Sequence, residues 1–177
     1  MRGYFGVGLE QSSKPMNAGN LFRTAHAFGA NFIFTVNAQY SVKKAKSDTS
    51  SAPYSIPWYD YDCAKELKLP DGCSLVGVEL LEEAVELPVF RHPLNAAYIL
   101  GPELGNLSPE IVKRCKHVVK IPTHFSLNVA TTGAIILYDR IRSMGNFGKR
   151  PTTSLSEPLP PMKHVQGTPK FRRKQKI

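Results

Sequence analysis

Apolar runs alternate with amphipathic stretches along the first 144 residues. GYFGVGL at 3–9, NFIFTVN at 31–37, SLVGVEL at 74–80, NAAYIL at 95–100 and the run at 117–121 are short and largely apolar, with few polar positions inside them. That is the pattern of strands buried on both faces. Between the first two, Leu21, Ala25 and Phe28 share one helical face and Gly29 supplies a stop. Ser108, Pro109 and Glu110 open a further helix through about residue 115. Residues 121–141, IPTHFSLNVATTGAIILYDRI, read as a strand end, a polar loop and a helix with no charge before Asp139. Such a helix is either deeply buried or half of a subunit interface. The aromatic stretch at 54–61 predicts a short strand or turn over the core, residues 63–68 a short helix, and residues 38–52 a loop. Strands alternating with helices predict an α/β fold, a parallel sheet covered by helices on both faces. Its ligands belong beyond the carboxyl ends of the strands.

Composition bounds this picture. At 177 residues with 42% hydrophobic content, the chain supports one ordinary globular domain. After Met144 the composition turns to Gly, Pro, Ser, Thr and Lys/Arg, dividing a folded body at 1–144 from a tail at 145–177. The charge divides at the same place. The tail holds eight Lys/Arg against one acid, Glu157, a net +7, and the body 15 against 13, a net +2. A basic, Pro-containing tail with Arg172, Arg173 and Lys174 near its end suits a polyanion, and Lys43, Lys44 and Lys46 in the early loop add to that surface. No window approaches a membrane span, and MRGYFGVGLEQ lacks the apolar core of a signal peptide, so a cytoplasmic protein is expected. Cys63, Cys73 and Cys115 have no CxxC spacing and are odd in number, which predicts reduced, structural thiols.

Several chemistries can be weighed on spacing. Gly6 and Gly8 suggest a dinucleotide loop, but the third glycine of that fingerprint would fall at Gln11. Ser126 near His124 lacks the GxSxG setting of a hydrolase. His92, His117, His124 and Glu103 have no metal-ligand spacing, so no metal is expected. Asn17, Asn20 and Arg23 recur every third residue along the first helix. Either asparagine would serve as an N-cap. Arg23 so near the positive end of a helix opposes the macrodipole and has no obvious structural reason.

Three segments, NAGNLFRTA at 17–25, ILGPELGNLS at 99–108 and IPTHFSLNVA at 121–130, resemble in order and position the three motifs of the SpoU/TrmH branch of the SPOUT RNA methyltransferases. The resemblance covers residues 3–144. It departs from the family at Asn106, where glycine is common, with Gly105 one place earlier, and in a third loop shortened to Thr123, His124 and Phe125 before Ser126.

The resemblance implies a C-terminal deep trefoil knot, a homodimer, and S-adenosylmethionine held by the loops after the last three strands. On this sequence those positions are Val78, Glu79, Leu100, Gly101, Ile121, Ser126 and Leu127. It also implies methyl transfer to a ribose 2′-hydroxyl of RNA, of tRNA rather than rRNA. Arg23 is the central catalytic residue by this reading, with Glu103 holding its guanidinium and Asn20, Ser126 and Asn128 supplying hydrogen bonds. Asn17 joins Arg23 and the basic residues in contacting RNA, and Asn128 doubles as an N-cap. A guanidinium is an awkward general base, so Arg23 is expected to grip the substrate phosphate and help orient and acidify the hydroxyl. Two alternatives are a SPOUT base methyltransferase and a non-catalytic RNA-binding or assembly protein that kept the fold.

Overall fold

The computed structural model describes residues 3–12, 14–39, 52–102 and 105–145. Its strands are β1 (Tyr4–Glu10), β2 (Phe32–Val36), β3 (Trp58–Tyr61), β4 (Ser74–Val78), β5 (Val85–Glu86), β6 (Asn95–Leu100) and β7 (His117–Lys120). They form one sheet in the order β3-β2-β1-β6-β4-β7-β5, and every neighbouring pair is parallel. The helices are α1 (Pro15–Ala27), α2 (Ala52–Ser55), α3 (Pro109–Arg114) and α4 (Val129–Met144).

Side chains alternate between two apolar layers, as the strand period of two requires. Phe5, Val7, Leu9, Tyr98 and Leu100 pack against Leu21, Phe22, Ile136 and Leu137 of α1 and α4. Phe32, Phe34, Leu75, Ala97 and Ile99 face the other way, toward Leu67, Leu107 and Ile111. Helix α1 meets α4 at Gly133, where a β-carbon would lie 2.1 Å from Leu21 Cδ1. Gly6 and Gly8 have a packing reason of the same kind. Added β-carbons there would lie 2.3 Å from the rings of Phe32 and Phe34, so the pair makes room for aromatics rather than for a phosphate.

All five expected strands form. The aromatic stretch divides into the end of α2 and edge strand β3, and residues 63–68 contain one 3₁₀ turn, Ala64–Glu66, rather than a helix. Strand β5 has two residues, too few to leave a periodic signal. The capping expectation fails for α1, because Lys14 is the N-cap and Pro15 occupies the first turn. Asn17 and Asn20 therefore lie inside the helix, and capping does not account for either. Ser108 does cap α3, its Oγ accepting from Ile111 N at 3.2 Å.

Candidate active site

A cavity of about 550 Å³ opens beyond the carboxyl ends of β4, β6 and β7. All seven positions expected around a cofactor line it: Val78, Glu79, Leu100, Gly101, Ile121, Ser126 and Leu127. Asn17 and Asn128 line it as well. The walls combine apolar side chains with polar groups at strand and helix ends, and the volume falls within the roughly 300–1,000 Å³ typical of small-molecule sites.

The first and third motifs meet directly. Asn128 Nδ2 donates to Asn17 Oδ1 at 3.1 Å, while Asn128 Oδ1 accepts from Ala130 N at 2.9 Å and caps α4. The cap and the link to α1 are thus made by one side chain. Between them, Ser126 is exposed on the loop leading into α4. That loop is braced by Thr123, whose hydroxyl donates to Phe125 O at 2.8 Å. His124 and Phe125 project outward, Phe125 at 76% exposure.

Arg23 and Asn20 do not line the cavity. Both are exposed on α1, Asn20 three and Arg23 six residues beyond Asn17, or about 4.5 and 9 Å along the axis at helical rise. Glu103, Lys43, Lys44, Lys46, Arg172, Arg173 and Lys174 lie outside the described residues.

Other lining residues carry weaker signals in the sequence. Lys14, the N-cap of α1, and Thr132, in the first turn of α4, also line the cavity. Lys120, also in the lining, donates from Nζ to Leu81 O at 3.1 Å and Glu82 O at 2.8 Å, pinning the segment after β4. The Glu79 carboxylate accepts from Leu80 N at 2.9 Å and from Leu107 N at 2.8 Å, so it is engaged with backbone of its own loop and of the second motif.

The histidines weighed for a metal do not converge. His92 bonds Tyr98 at 2.6 Å and Asp139 at 2.8 Å, His117 lies edge-on to Phe90, and His124 is on the outer loop. Among the described residues no three His, Cys, Asp or Glu groups gather as metal ligands. All three cysteines are free thiols, and burial pushes Cys115 up to about 12. Cys63, Cys73 and Cys115 are all partly buried.

A parallel α/β sheet with a loop-built cavity at its carboxyl edge, walled by these three motifs, is the usual arrangement of a ligand site in an open α/β fold. The model of the SpoU rRNA Methylase family matches residues 4–138, and the chain belongs to that family. It is 29% identical over 150 residues to the tRNA (guanosine(18)-2'-O)-methyltransferase of Aquifex aeolicus, covering 80% of this chain and 70% of that protein. It is 26% identical over 138 residues to the mouse tRNA (guanosine(18)-2'-O)-methyltransferase TARBP1, covering 73% of this chain but only 9% of that much longer relative. Its fold is similar to that of the SpoU methyltransferase AviRb from Streptomyces viridochromogenes in complex with AdoMet. There the TM-score is 0.69 at 24% identity, over 78% of this chain and 57% of AviRb.

Proposed function

We propose that this protein is an S-adenosylmethionine-dependent RNA methyltransferase acting on a ribose 2′-hydroxyl, with tRNA favoured over rRNA. The observation that carries the reading is the convergence of all seven expected cofactor positions on one cavity, beside the contact between Asn17 and Asn128. Support for the cofactor comes from the AdoMet complex of AviRb, and for tRNA from the names of both relatives.

Val78, Leu100, Ile121 and Leu127 offer apolar contact to the cofactor, and the backbone around Gly101 and Ser126 offers directed hydrogen bonds. S-adenosylmethionine supplies an already activated methyl group, so the protein's task is chiefly alignment and proton removal. Arg23, exposed on α1, grips the phosphate next to the target ribose, and that phosphate and guanidinium together orient and acidify the hydroxyl. Asn20 stands on the same helix toward the same substrate, and Ser126 faces it from the loop. Asn128 acts through Asn17, fixing the side chain that opens the first motif.

The deep trefoil knot of the SPOUT fold belongs to this reading. It is supported by the strand order, in which β7 lies beside β4 and α4 begins at the cavity. So does a homodimer, supported by the exposed Ile135 and Tyr138 one turn apart on α4. The cationic tail and the early lysines draw in RNA by charge.

Mapping 2′-O-methyl sites in RNA from cells lacking this protein tests the reading. Loss of a methyl at a tRNA position is expected. An unchanged 2′-O-methyl profile in tRNA and rRNA alike contradicts it.

A further inference from the structure

Two carboxylates, Glu10 and Glu79, stand on either side of the second motif. In the sheet β6 lies between β1 and β4, and Leu100 is in register with Leu9 on one side and Val78 on the other. The next level of the sheet therefore reads Glu10, Gly101, Glu79. Beyond Gly101, Pro102, Gly105 and Asn106 line the cavity. Two consecutive amides then land on the two glutamates. Leu107 N donates to Glu79 Oε2 at 2.8 Å, and Ser108 N donates to Glu10 Oε2 at 2.8 Å.

The approach is tight. A β-carbon on Gly101 would lie 3.0 Å from Leu107 N, 3.3 Å from the Asn106 carbonyl carbon and 3.3 Å from Glu79 Oε2. Glu10 is 2% exposed. A carboxylate is costly to bury without hydrogen-bond donors, and an ionised one only accepts, so it selects a wall conformation that turns amides toward it. The Ser108 amide lies just ahead of α3 and outside its hydrogen-bonding ladder, so Glu10 gives it a partner. At its other end, the Ser108 side chain is occupied in capping α3.

We propose that Glu10 and Glu79 form a two-point clamp that holds residues 105–108 in place as a wall of the cofactor cavity, with Glu10 as a positioning residue that touches neither cofactor nor RNA. The clamp deepens the proposed function and rests on S-adenosylmethionine occupying this cavity. Its effect falls on cofactor affinity, because the two glutamates hold backbone of the cavity wall, whereas Arg23 is exposed on α1.

The test uses the full chain and its Glu10→Gln, Glu10→Ala and Glu79→Gln variants, titrated with S-adenosylmethionine and assayed for methyl transfer. Glu10→Gln keeps an acceptor but loses the charge, and weakens cofactor binding by about tenfold, with Glu10→Ala weaker again. The KM for cofactor rises in parallel, while kcat at saturating cofactor and the KM for RNA stay at wild-type values. Combining Glu10→Gln with Glu79→Gln gives a non-additive loss, since both act on one loop. Wild-type cofactor affinity in Glu10→Gln, or a fall confined to kcat, overturns the clamp. Amide exchange in the ligand-free proteins decides the matter even if the wild type fails to bind S-adenosylmethionine, a result that would sink the cofactor reading itself. The clamp requires Leu107 and Ser108 to be protected in the wild type and selectively released in Glu79→Gln and Glu10→Gln; unchanged protection overturns it.

Discussion

The two ends of α4 carry similar polar side chains in opposite circumstances. At the cavity end, Asn128 links the helix to α1 and Ser126 is exposed on the loop before it, while Arg23 is exposed further along α1. At the far end, Arg140 is 1% exposed and donates to Pro93 O at 2.7 Å, Leu94 O at 2.8 Å and Tyr98 Oη at 3.1 Å, with its guanidinium over the Phe5 ring. The chain of bonds continues from there. Tyr98 O–H donates to His92 Nδ1 and His92 Nε2–H to the Asp139 carboxylate, which only accepts and so sets the tautomer. Burial pushes the Tyr98 hydroxyl up to about 12, with Arg140 opposing. The far end spends its polar groups on locking α4 to the segment before β6, whereas the near end presents them to a cavity and its rim. An arginine or histidine is therefore read by its partners, not by its identity.

Substitutions separate the two ends. Arg23→Ala is expected to reduce methyl transfer by roughly 10²–10³-fold, the scale of losing one preorganised electrostatic contact in a transition state. Its thermal midpoint should stay at that of the wild type, and a comparable loss of stability would place Arg23 with the structural arginine. Arg140→Met is the converse case. It strands three acceptors in a nearly dry site and should cost on the order of 3–5 kcal/mol in urea unfolding, with cofactor affinity retained by the folded fraction.

Gly101→Ala drives a β-carbon against the second-motif backbone and should weaken S-adenosylmethionine binding about tenfold by calorimetry, as overpacking of a well-fitted wall does. The smallest effect concerns pH. Burial lowers the His92 pKa below 6.5, with the Asp139 hydrogen bond partly opposing and Arg140 adding to the lowering. Below that pH the unfolded chain binds the proton more readily than the folded one. Stability therefore falls as pH drops through 6.5 toward the folded pKa and then levels off. His92→Gln should flatten that slope in thermal scans, with no change in the pH dependence of cofactor binding.

The cavity end was legible in the sequence because its residues come in short contiguous motifs, each at the end of a recognisable strand. The seven positions expected around a cofactor came from the family resemblance carried onto the strand ends, and one cavity gathers them. Arg140, Tyr98 and His92 were not legible as a network. They are 42 and 6 residues apart in pairs that no local period connects. Glu10 left one faint trace, a carboxylate closing an otherwise apolar strand, but its partner Ser108 is 98 residues away. The asparagines of α1 show the reverse error. Local propensity favoured capping, and Pro15 at the first turn moved the helix start ahead of both. Strand β5 was missed because pairing with β7, not its own two residues, makes it a strand.

The most direct measurement incubates the purified chain with methyl-labelled S-adenosylmethionine and unmodified tRNA, digests the RNA and separates the nucleosides by mass. Label is expected in a 2′-O-methylnucleoside, and it is expected to disappear in Arg23→Ala while the cofactor still binds. Label on a base, or none transferred by a wild type that binds the cofactor under conditions where it also binds tRNA, would contradict the proposed function.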